Sequence, residues 1–134
     1  MADFKLVIAN AKTGKCMQQE LKSPQSNALV GKKIGDKIDG NSINLKGYEL
    51  EITGGSDYCG FPMRSDIHGA IRKRILVVSG VGAKKIAKGM KQRKTVCGNT
   101  VNEKIVQINL KVLKEGEENI FKEKEAPKAE EPKK

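Results

Sequence analysis

The segment Ile52-Thr-Gly-Gly-Ser-Asp-Tyr-Cys-Gly-Phe-Pro-Met63 is the most informative stretch of this 134-residue chain, and we call it the signature segment. It overlaps an alternating run of apolar and polar residues over 48–53, which is typical of a half-buried β-strand. Three glycines and one proline within twelve residues indicate a tight turn, because glycine adopts backbone angles that other residues avoid and proline fixes φ. The segment therefore predicts a strand followed by a specified loop.

A strongly basic stretch follows directly. Residues 64–94 contain ten Lys or Arg side chains and one acid, Asp66. Ordinary solvated surfaces mix both signs of charge, so nine net positive charges in 31 residues point to a polyanionic partner. Nucleic-acid phosphates are the expected contact, and affinity should fall steeply with salt as counterions are released. The residues predicted to bind RNA phosphates are Arg64, Arg72, Lys73, Arg74, Lys84, Lys85, Lys88, Lys91, Arg93 and Lys94.

The aromatic content indicates how RNA is recognised. With no Trp, two Tyr and three Phe, the chain offers few rings on which unpaired bases could stack. Recognition of backbone and shape in folded, double-helical RNA is therefore favoured over the reading of single strands. Arg72 and Arg74 alternate with Lys73 before a strand, so the two arginines should share one face and Lys73 should point to the other.

The signature segment itself is expected to be structural. Its glycines should permit a positive φ or a close approach of the backbone to RNA. Its aspartate should accept backbone N–H groups within the turn, its proline should fix the exit, and its Phe and Met should anchor the loop to the core. These structural residues are Gly54, Gly55, Asp57, Gly60, Phe61, Pro62 and Met63.

Other chemistries have little support. A catalytic Asp57 would need a His, Glu or Lys at a spacing typical of an acid–base pair, and we find none. The three cysteines could form a zinc site with His68, but they lack the closely spaced pairs of local zinc knuckles. The glycines and lysines of residues 80–86 lack the Gly-Lys-Ser/Thr of a phosphate loop. We expect no enzymatic activity, no metal and no cofactor.

Short strand patterns dominate the rest of the chain, at residues 4–9, 15–21, 33–38, 48–53, 75–79, 95–97 and 104–113. Ser23 and Pro24 predict the start of one short helix that ends near Gly31. Many short strands with glycine-rich turns predict a mainly β fold, specifically a small closed or nearly closed β-barrel. The basic, glycine-rich excursion over residues 80–94 is expected to be mobile in the free protein.

Length and charge predict one domain and a tail. A chain of 134 residues can bury one modest core. Of its net charge of +10, residues 1–113 contribute +11, whereas residues 114–134 hold 6 Lys and 7 Glu. We therefore expect a single β-barrel domain over 1–113 and a disordered Lys/Glu/Pro tail over 114–134.

The same sequence features predict where the protein works. No run approaches the ~18 to 20 apolar residues of a membrane span, and residues 1–5 lack the layout of a signal peptide. Three cysteines without a close pair suit a reducing compartment. We expect a cytoplasmic protein without a membrane partner that is monomeric when free.

The signature segment also resembles a known family. A strand ending in Thr-Gly-Gly-x-Asp-x-x-Gly-x-Pro-Met resembles the pattern of the archaeal and eukaryotic S6e family of small-subunit ribosomal proteins. The likeness covers roughly residues 4–113, with further matches in the same order. These are Arg64-Ser-Asp-Ile-His-Gly-Ala70, Arg72-Lys-Arg74, Gly80-Val-Gly82, Arg93-Lys-Thr-Val-Cys-Gly-Asn-Thr100 and Ile105-Val-Gln-Ile-Asn-Leu110.

This resemblance implies a structural constituent of the small ribosomal subunit that acts in translation. It implies binding to small-subunit ribosomal RNA and contact with neighbouring ribosomal proteins, with residues 80–94 as a basic loop on a β-barrel. Eukaryotic members carry a long basic C-terminal helix with phosphorylated serines. This chain lacks that extension, so the regulation is not carried over and the short form resembles the archaeal members.

Two other functions are compatible with the same charge. A free RNA-binding or RNA-chaperone module would bind many RNAs and would not sediment with ribosomal subunits. A protein-interaction barrel, whose basic loop meets acidic partners, would keep its partner after nuclease treatment.

Overall fold

The structure is a computed structural model that describes residues 3–84, 86–117 and 119–121. Within these residues the chain forms seven β-strands and two short 3₁₀ helices, so the prediction of a mainly β fold is confirmed. The strands are β1 Phe4–Asn10, β2 Lys15–Leu21, β3 Lys37–Asp39, β4 Glu49–Asp57, β5 Arg72–Val77, β6 Gln92–Cys97 and β7 Ile105–Lys114. The 3₁₀ helices comprise Gln25–Ala28 and Gly40–Ile43.

Five strands form the main sheet, in the order β2-β1-β7-β4-β3. The first and last strands of the chain, β1 and β7, pair in parallel, and the other neighbours pair antiparallel. The centre of the sheet is thus built from opposite ends of the chain, and β7 supports β4 along most of its length. This pairing places the end of β4, where the signature segment turns, at a fixed position.

The prediction of a closed or nearly closed β-barrel is wrong. Closure requires the two edge strands of a sheet to pair. In the described part of the chain, β2 and β3 lie at opposite edges of the five-stranded sheet, and β5 and β6 form a separate two-stranded sheet. Short strands with glycine-rich turns are equally typical of open sheets, because alternation along a strand does not reveal which edges meet.

The core is formed by alternating residues of the main sheet. Phe4, Leu6 and Ile8 of β1 are at most 1% exposed, and they belong to one cluster with buried residues of β4 and β7. Residues near the two 3₁₀ helices, among them Leu29 and Ile43, complete this cluster. Each fully buried aliphatic or Phe side chain contributes about 1.5–3 kcal/mol of transfer free energy.

The predicted short helix is present only in part. Pro24 precedes a four-residue 3₁₀ helix rather than an α-helix that reaches residue 30. The N–H of Leu29 donates to the carbonyl of Ser26, and Gly31 adopts a φ of 85°, which ends the helical geometry. Leu29 is the buried anchor of this segment, while Val30 remains 40% exposed.

Strand β4 continues beyond its predicted end at residue 53. Gly54, Gly55 and Ser56 pair with β7, and the register shift between Ile52 and Gly54 indicates a bulge at Thr53. A bulge bends and twists its strand without ending the ladder. The turn of the signature segment therefore begins only at the final residue of β4.

Strands β5 and β6 form a two-stranded basic ribbon, defined here as residues 72–97. Its register runs from Arg72 opposite Cys97 to Val77 opposite Gln92. A bridge between Met63 and Cys97 joins the base of the ribbon to the signature segment. Residues 92–94 of the predicted excursion thus belong to β6, and the mobility of the excursion stays a prediction.

The packed chain extends past the predicted domain boundary at residue 113. Strand β7 ends at Lys114, and both Ile120 and Phe121 pack against the hydrophobic core. The N–H of Ile120 donates to the hydroxyl of Tyr48 at 3.4 Å. The predicted disorder of residues 118 and 122–134 falls outside the described residues. None of the helices in the described ranges has the length and hydropathy to cross a membrane.

Candidate nucleic-acid interface

Asp57, the last residue of β4, organises the turn of the signature segment. Its side chain is 2% exposed. Its Oδ1 accepts the backbone N–H groups of Cys59 and Phe61, each at 2.9 Å, which are contacts of the kind expected from the sequence. Its Oδ2 accepts hydrogen bonds from Nε of Arg72, at 3.0 Å, and from Nη2 of the same guanidinium. The thiol of Cys97 also donates to Oδ2, at 3.2 Å. One carboxylate therefore joins the turn, β5 and β6.

These contacts change the protonation of the cluster. Burial alone would raise the pKa of Asp57, but hydrogen bonds from Cys97, the Phe61 amide, Arg72 and the Cys59 amide outweigh it and hold the pKa below its ordinary value. The hydrogen bond to Asp57 raises the pKa of the Arg72 guanidinium. Burial, assisted by the neighbouring carboxylate, raises the pKa of Cys97 to about 11. The cluster is a stable ion pair with a neutral thiol at pH 7.

The cysteines should therefore differ in reactivity. At pH 8, Cys16 and Cys59, which are exposed, are expected to react rapidly with Ellman's reagent, whereas the buried, protonated Cys97 reacts slowly until urea unfolds the chain. A Cys16→Ser/Cys59→Ser variant should retain only the slow phase. Rapid reaction of that variant would contradict the burial and protonation of Cys97.

Two of the three glycines of the signature segment meet a requirement of the protein's own backbone. Gly60 has a φ of 84°, a conformation that other residues rarely adopt. A Cβ on Gly55 would collide with the backbone carbonyl of Gln107 in β7, and it would lie 3.1 Å from Sδ of Met63. Gly54 lies in extended backbone, with open space where a Cβ would be. Gly60 thus has the positive φ that the sequence analysis allowed for, and the close approach at Gly55 is to β7. An approach of RNA to these glycines stays a prediction.

The apolar residues after the turn seat it on the core. Met63 is 3% exposed and belongs to the hydrophobic cluster, and Phe61 packs against that cluster while partly exposed. The carbonyl of Pro62 accepts the N–H of Cys97 at 2.8 Å. The turn therefore has a rigid position relative to the ribbon.

Arg64 is held by contacts within the chain. It forms two hydrogen bonds of 2.9 Å with the carboxylate of Asp66, and its Nη1 donates to the carbonyl of Val81 at 2.7 Å. Its side chain is only 16% exposed. A Cβ on Gly82 would lie 3.1 Å from Cγ1 of Val96, so the excursion returns closely onto the base of the ribbon. Arg64 thus fixes the excursion.

Arg72 is likewise engaged inside the protein. Besides its ion pair with Asp57, its guanidinium carbon lies 5.2 Å from the ring centre of Tyr58 and 5.0 Å from that of Phe61. Such cation–π contacts restrict the guanidinium further. The side chain keeps 34% exposure, which leaves an edge open to a ligand.

The other predicted phosphate-binding residues present their charges outward. Paired residues of antiparallel strands share a face, so Arg74 and Arg93 occupy one face of the ribbon, while Lys73 and Lys94 occupy the other. Lys84, Lys88 and Lys91 are exposed in the connection, and Lys85 lies outside the described residues. The sequence has no acidic residue between Asp66 and Glu103 to neutralise them.

Sequence reasoning overlooked two residues beside this surface. Tyr58 is 62% exposed, and its N–H donates to the carbonyl of Lys104 at 3.0 Å. Lys104 and Arg72 line an open cleft of about 360 Å³. Tyr58 precedes the basic stretch and Lys104 follows it. Because they are far apart in the sequence, no local pattern indicated that they meet.

The residues considered for a zinc site are not brought together. Cys16 lies in β2, Cys59 in the turn and Cys97 at the end of β6. His68 instead lies beside Asn99, and Nδ1 of His68 is 3.4 Å from the side-chain amide nitrogen of Asn99. Over the described ranges, no group of three or more His, Cys, Asp or Glu side chains could hold a metal ion.

Comparison with known proteins agrees with the resemblance of the signature segment. A family model described as Ribosomal protein S6e matches residues 4–124. The small ribosomal subunit protein eS6 of Methanococcus maripaludis (strain S2) is 51% identical over 113 residues, covering 84% of this chain and 89% of that protein.

Other organisms carry similar proteins of the same name. That of Methanocella arvoryzae is 45% identical over 130 residues, covering 97% of this chain and 90% of the relative. That of Archaeoglobus fulgidus is 45% identical over 127 residues, covering 92% of this chain and 98% of the relative. Because the family model and these relatives span most of the chain, the protein belongs to the S6e family of ribosomal proteins.

Proposed function

We propose that this protein is a structural constituent of the small ribosomal subunit, acting in translation by binding and stabilising folded ribosomal RNA. The observation that carries this proposal is the basic ribbon, which presents Lys73, Arg74, Arg93 and Lys94 to solvent on both of its faces. The shared name of the relatives supports the same role. No turnover is required of such a role.

The ribbon suits phosphate contacts on two sides. Arginine on one face can clamp phosphate oxygens in bidentate fashion, and lysine on the other provides a compact charge. Two RNA segments that approach the two faces would each have their phosphate repulsion reduced. The ribbon would thereby hold RNA helices in a fixed arrangement.

The internal arginine pairs make this presentation rigid. Arg72 fixes the start of β5 to Asp57, and Arg64 fixes the excursion through Val81. Because these contacts form within the protein, less conformational entropy is lost when RNA binds. We infer that Arg64 and Arg72 support the interface from within the protein. The exposed cations supply its positive charge, and the rigid turn of the signature segment orients it.

The proposed setting is the ribosome in the cytoplasm. Its partners there are small-subunit ribosomal RNA and neighbouring ribosomal proteins, and the free protein is a monomer. The exposed apolar residues Leu76, Val78, Val81 and Met90 of the ribbon, each 50–56% exposed, are compatible with coverage by neighbours in an assembled particle.

Sedimentation of native cell lysate at low and moderately high salt tests this function. We expect the protein to migrate with the small subunit in stoichiometric amount, and to stay there at moderate salt, because many phosphate contacts act together. Nuclease treatment should release it. Migration at the top of the gradient in both conditions would overturn the proposal in favour of a free RNA-binding module. Retention by a protein partner after nuclease treatment would favour the interaction-domain alternative.

A further inference from the structure

Tyr58 is the most exposed large apolar side chain of the described residues, at 62%. It lies at the tip of the signature turn, immediately after the buried Asp57. Its ring contacts the Arg72 guanidinium but remains mostly open to solvent, and such a ring is the kind of surface on which an unpaired base stacks. The exposed part of Tyr58 is therefore a candidate surface for a planar ligand.

The position of Tyr58 is fixed on several sides. Its N–H donates to the carbonyl of Lys104 at 3.0 Å, and the N–H of Gly60 closes the turn on the carbonyl of Asp57, also at 3.0 Å. The Arg72 guanidinium lies 5.2 Å from the centre of the tyrosine ring. A ring placed in advance binds a flat ligand at a lower entropic cost than a mobile one.

A cleft lies beside residues that contact Tyr58, since Arg72 and Lys104 both line it. It has a volume of about 360 Å³, toward the small end of the ~300–1,000 Å³ typical of ligand clefts. Its lining residues include the basic Arg72 and Lys104 and the exposed apolar Ile71. The Arg72 side chain joins the two features, since it contacts the ring of Tyr58 and also lines the cleft.

We propose that Tyr58 and this cleft bind one unstacked nucleotide of an RNA, such as a bulged residue beside a helix. The base stacks on the outer surface of the Tyr58 ring, and the nucleotide's phosphate lies against the exposed parts of Arg72 and Lys104. This inference rests on the proposed RNA-binding function and extends it. It adds single-nucleotide recognition to the backbone contacts that the basic ribbon makes with double-helical RNA.

The charge around the cleft favours a nucleotide over an uncharged planar ligand. Asp57 also lines it, but that carboxylate is 2% exposed and already accepts hydrogen bonds from Arg72, Cys97 and two amides. Its negative charge is therefore matched within the protein. The neighbouring Lys104 is exposed, so the net field at the cleft mouth attracts phosphate.

Two RNA hairpins test the inference with the full-length protein. One carries a single bulged 2-aminopurine, and the other has the same stem with that residue paired. We expect the wild-type protein to bind the bulged hairpin more tightly and to quench its 2-aminopurine fluorescence by stacking. Tyr58→Ala should weaken binding to the bulged hairpin about tenfold and abolish the quenching, while binding to the paired hairpin stays unchanged.

Two matched variants separate stacking from folding. Tyr58→Phe keeps the ring and should behave as the wild type, whereas Tyr58→Leu keeps apolar bulk, loses the aromatic surface and should behave as Tyr58→Ala. Equal binding of both hairpins by the wild type, or normal quenching by Tyr58→Leu, would overturn the inference while RNA binding itself stands. Failure of the wild type to bind either hairpin would contradict the proposed function as well.

Discussion

Replacing Asp57 by alanine is expected to lower the free energy of unfolding by about 3 kcal/mol, within the range for breaking one side of a buried ion pair. The change removes the acceptor for the amides of Cys59 and Phe61, and it leaves the Arg72 guanidinium without its carboxylate. We expect the lower end of that range because Arg72 keeps 34% exposure and water can solvate it. Since small domains have only about 5–15 kcal/mol of stability, this is a large share.

Urea unfolding monitored by circular dichroism measures the effect. Glu49→Ala is the matched control, because it also removes a carboxylate that forms an ion pair, but the Glu49 side chain is 39% exposed and its partner Lys114 is 70% exposed. Exposed pairs contribute little, so Glu49→Ala should unfold close to the wild-type midpoint. Equal destabilisation by both substitutions would mean that the buried cluster has no special role in the fold.

The acid dependence of stability gives an independent readout of the same cluster. The pKa of Asp57 is lower in the folded protein than the ordinary value of 3.8, so ionised Asp57 stabilises the fold fully above that value. This contribution is lost as the pH falls below 3.8 and through the lower folded pKa. Asp57→Asn should therefore lose less stability than the wild type over the same fall in pH.

The strands were predictable because their side chains alternate. The patterns over residues 4–9 and 104–113 correspond to β1 and β7, which bury alternate residues in one core. Their parallel pairing was not predictable, since nothing local in either strand records a partner about 100 residues away. The barrel prediction failed for the same reason: strand closure is a property of edges that meet in space.

The charge of the interface was predictable, but the engagement of individual arginines was not. Counting Lys and Arg treats Arg64, Arg72 and Arg74 alike. In the structure Arg64 pairs with a carboxylate two residues away, and Arg72 with one fifteen residues away, whereas Arg74 stays exposed. Only the fold decides which cation has an internal partner. Tyr58 escaped attention because aromatic composition was low overall, although one fixed and exposed ring is enough to stack one base.

Neutralising the ribbon is expected to cause the largest loss of RNA affinity. A variant with glutamine at positions 73, 74, 93 and 94 should bind a transcript of archaeal small-subunit ribosomal RNA about two to three orders of magnitude more weakly at ~0.1 M salt. The slope of log affinity against log salt should decrease in magnitude by about 3, since four phosphate contacts no longer release counterions. Filter binding across a salt series measures both quantities.

The control variant carries glutamine at four exposed lysines outside the ribbon, namely Lys12, Lys22, Lys32 and Lys37. Both variants lower the formal net charge from +10 by four, so a general attraction between protein and RNA would weaken equally in the two. We expect the control to retain nearly the wild-type salt slope. A matching loss in both variants would mean that overall charge, rather than the ribbon, binds the RNA.

Two double variants then ask whether both faces of the ribbon bind RNA. Arg74→Gln/Arg93→Gln changes one face, and Lys73→Gln/Lys94→Gln changes the other. If the ribbon lies between two RNA segments, each double variant should reduce the salt slope by about 1.5, because each face loses two phosphate contacts. A full effect from one pair and none from the other would place RNA on a single face, and the ribbon could not then hold two helices together.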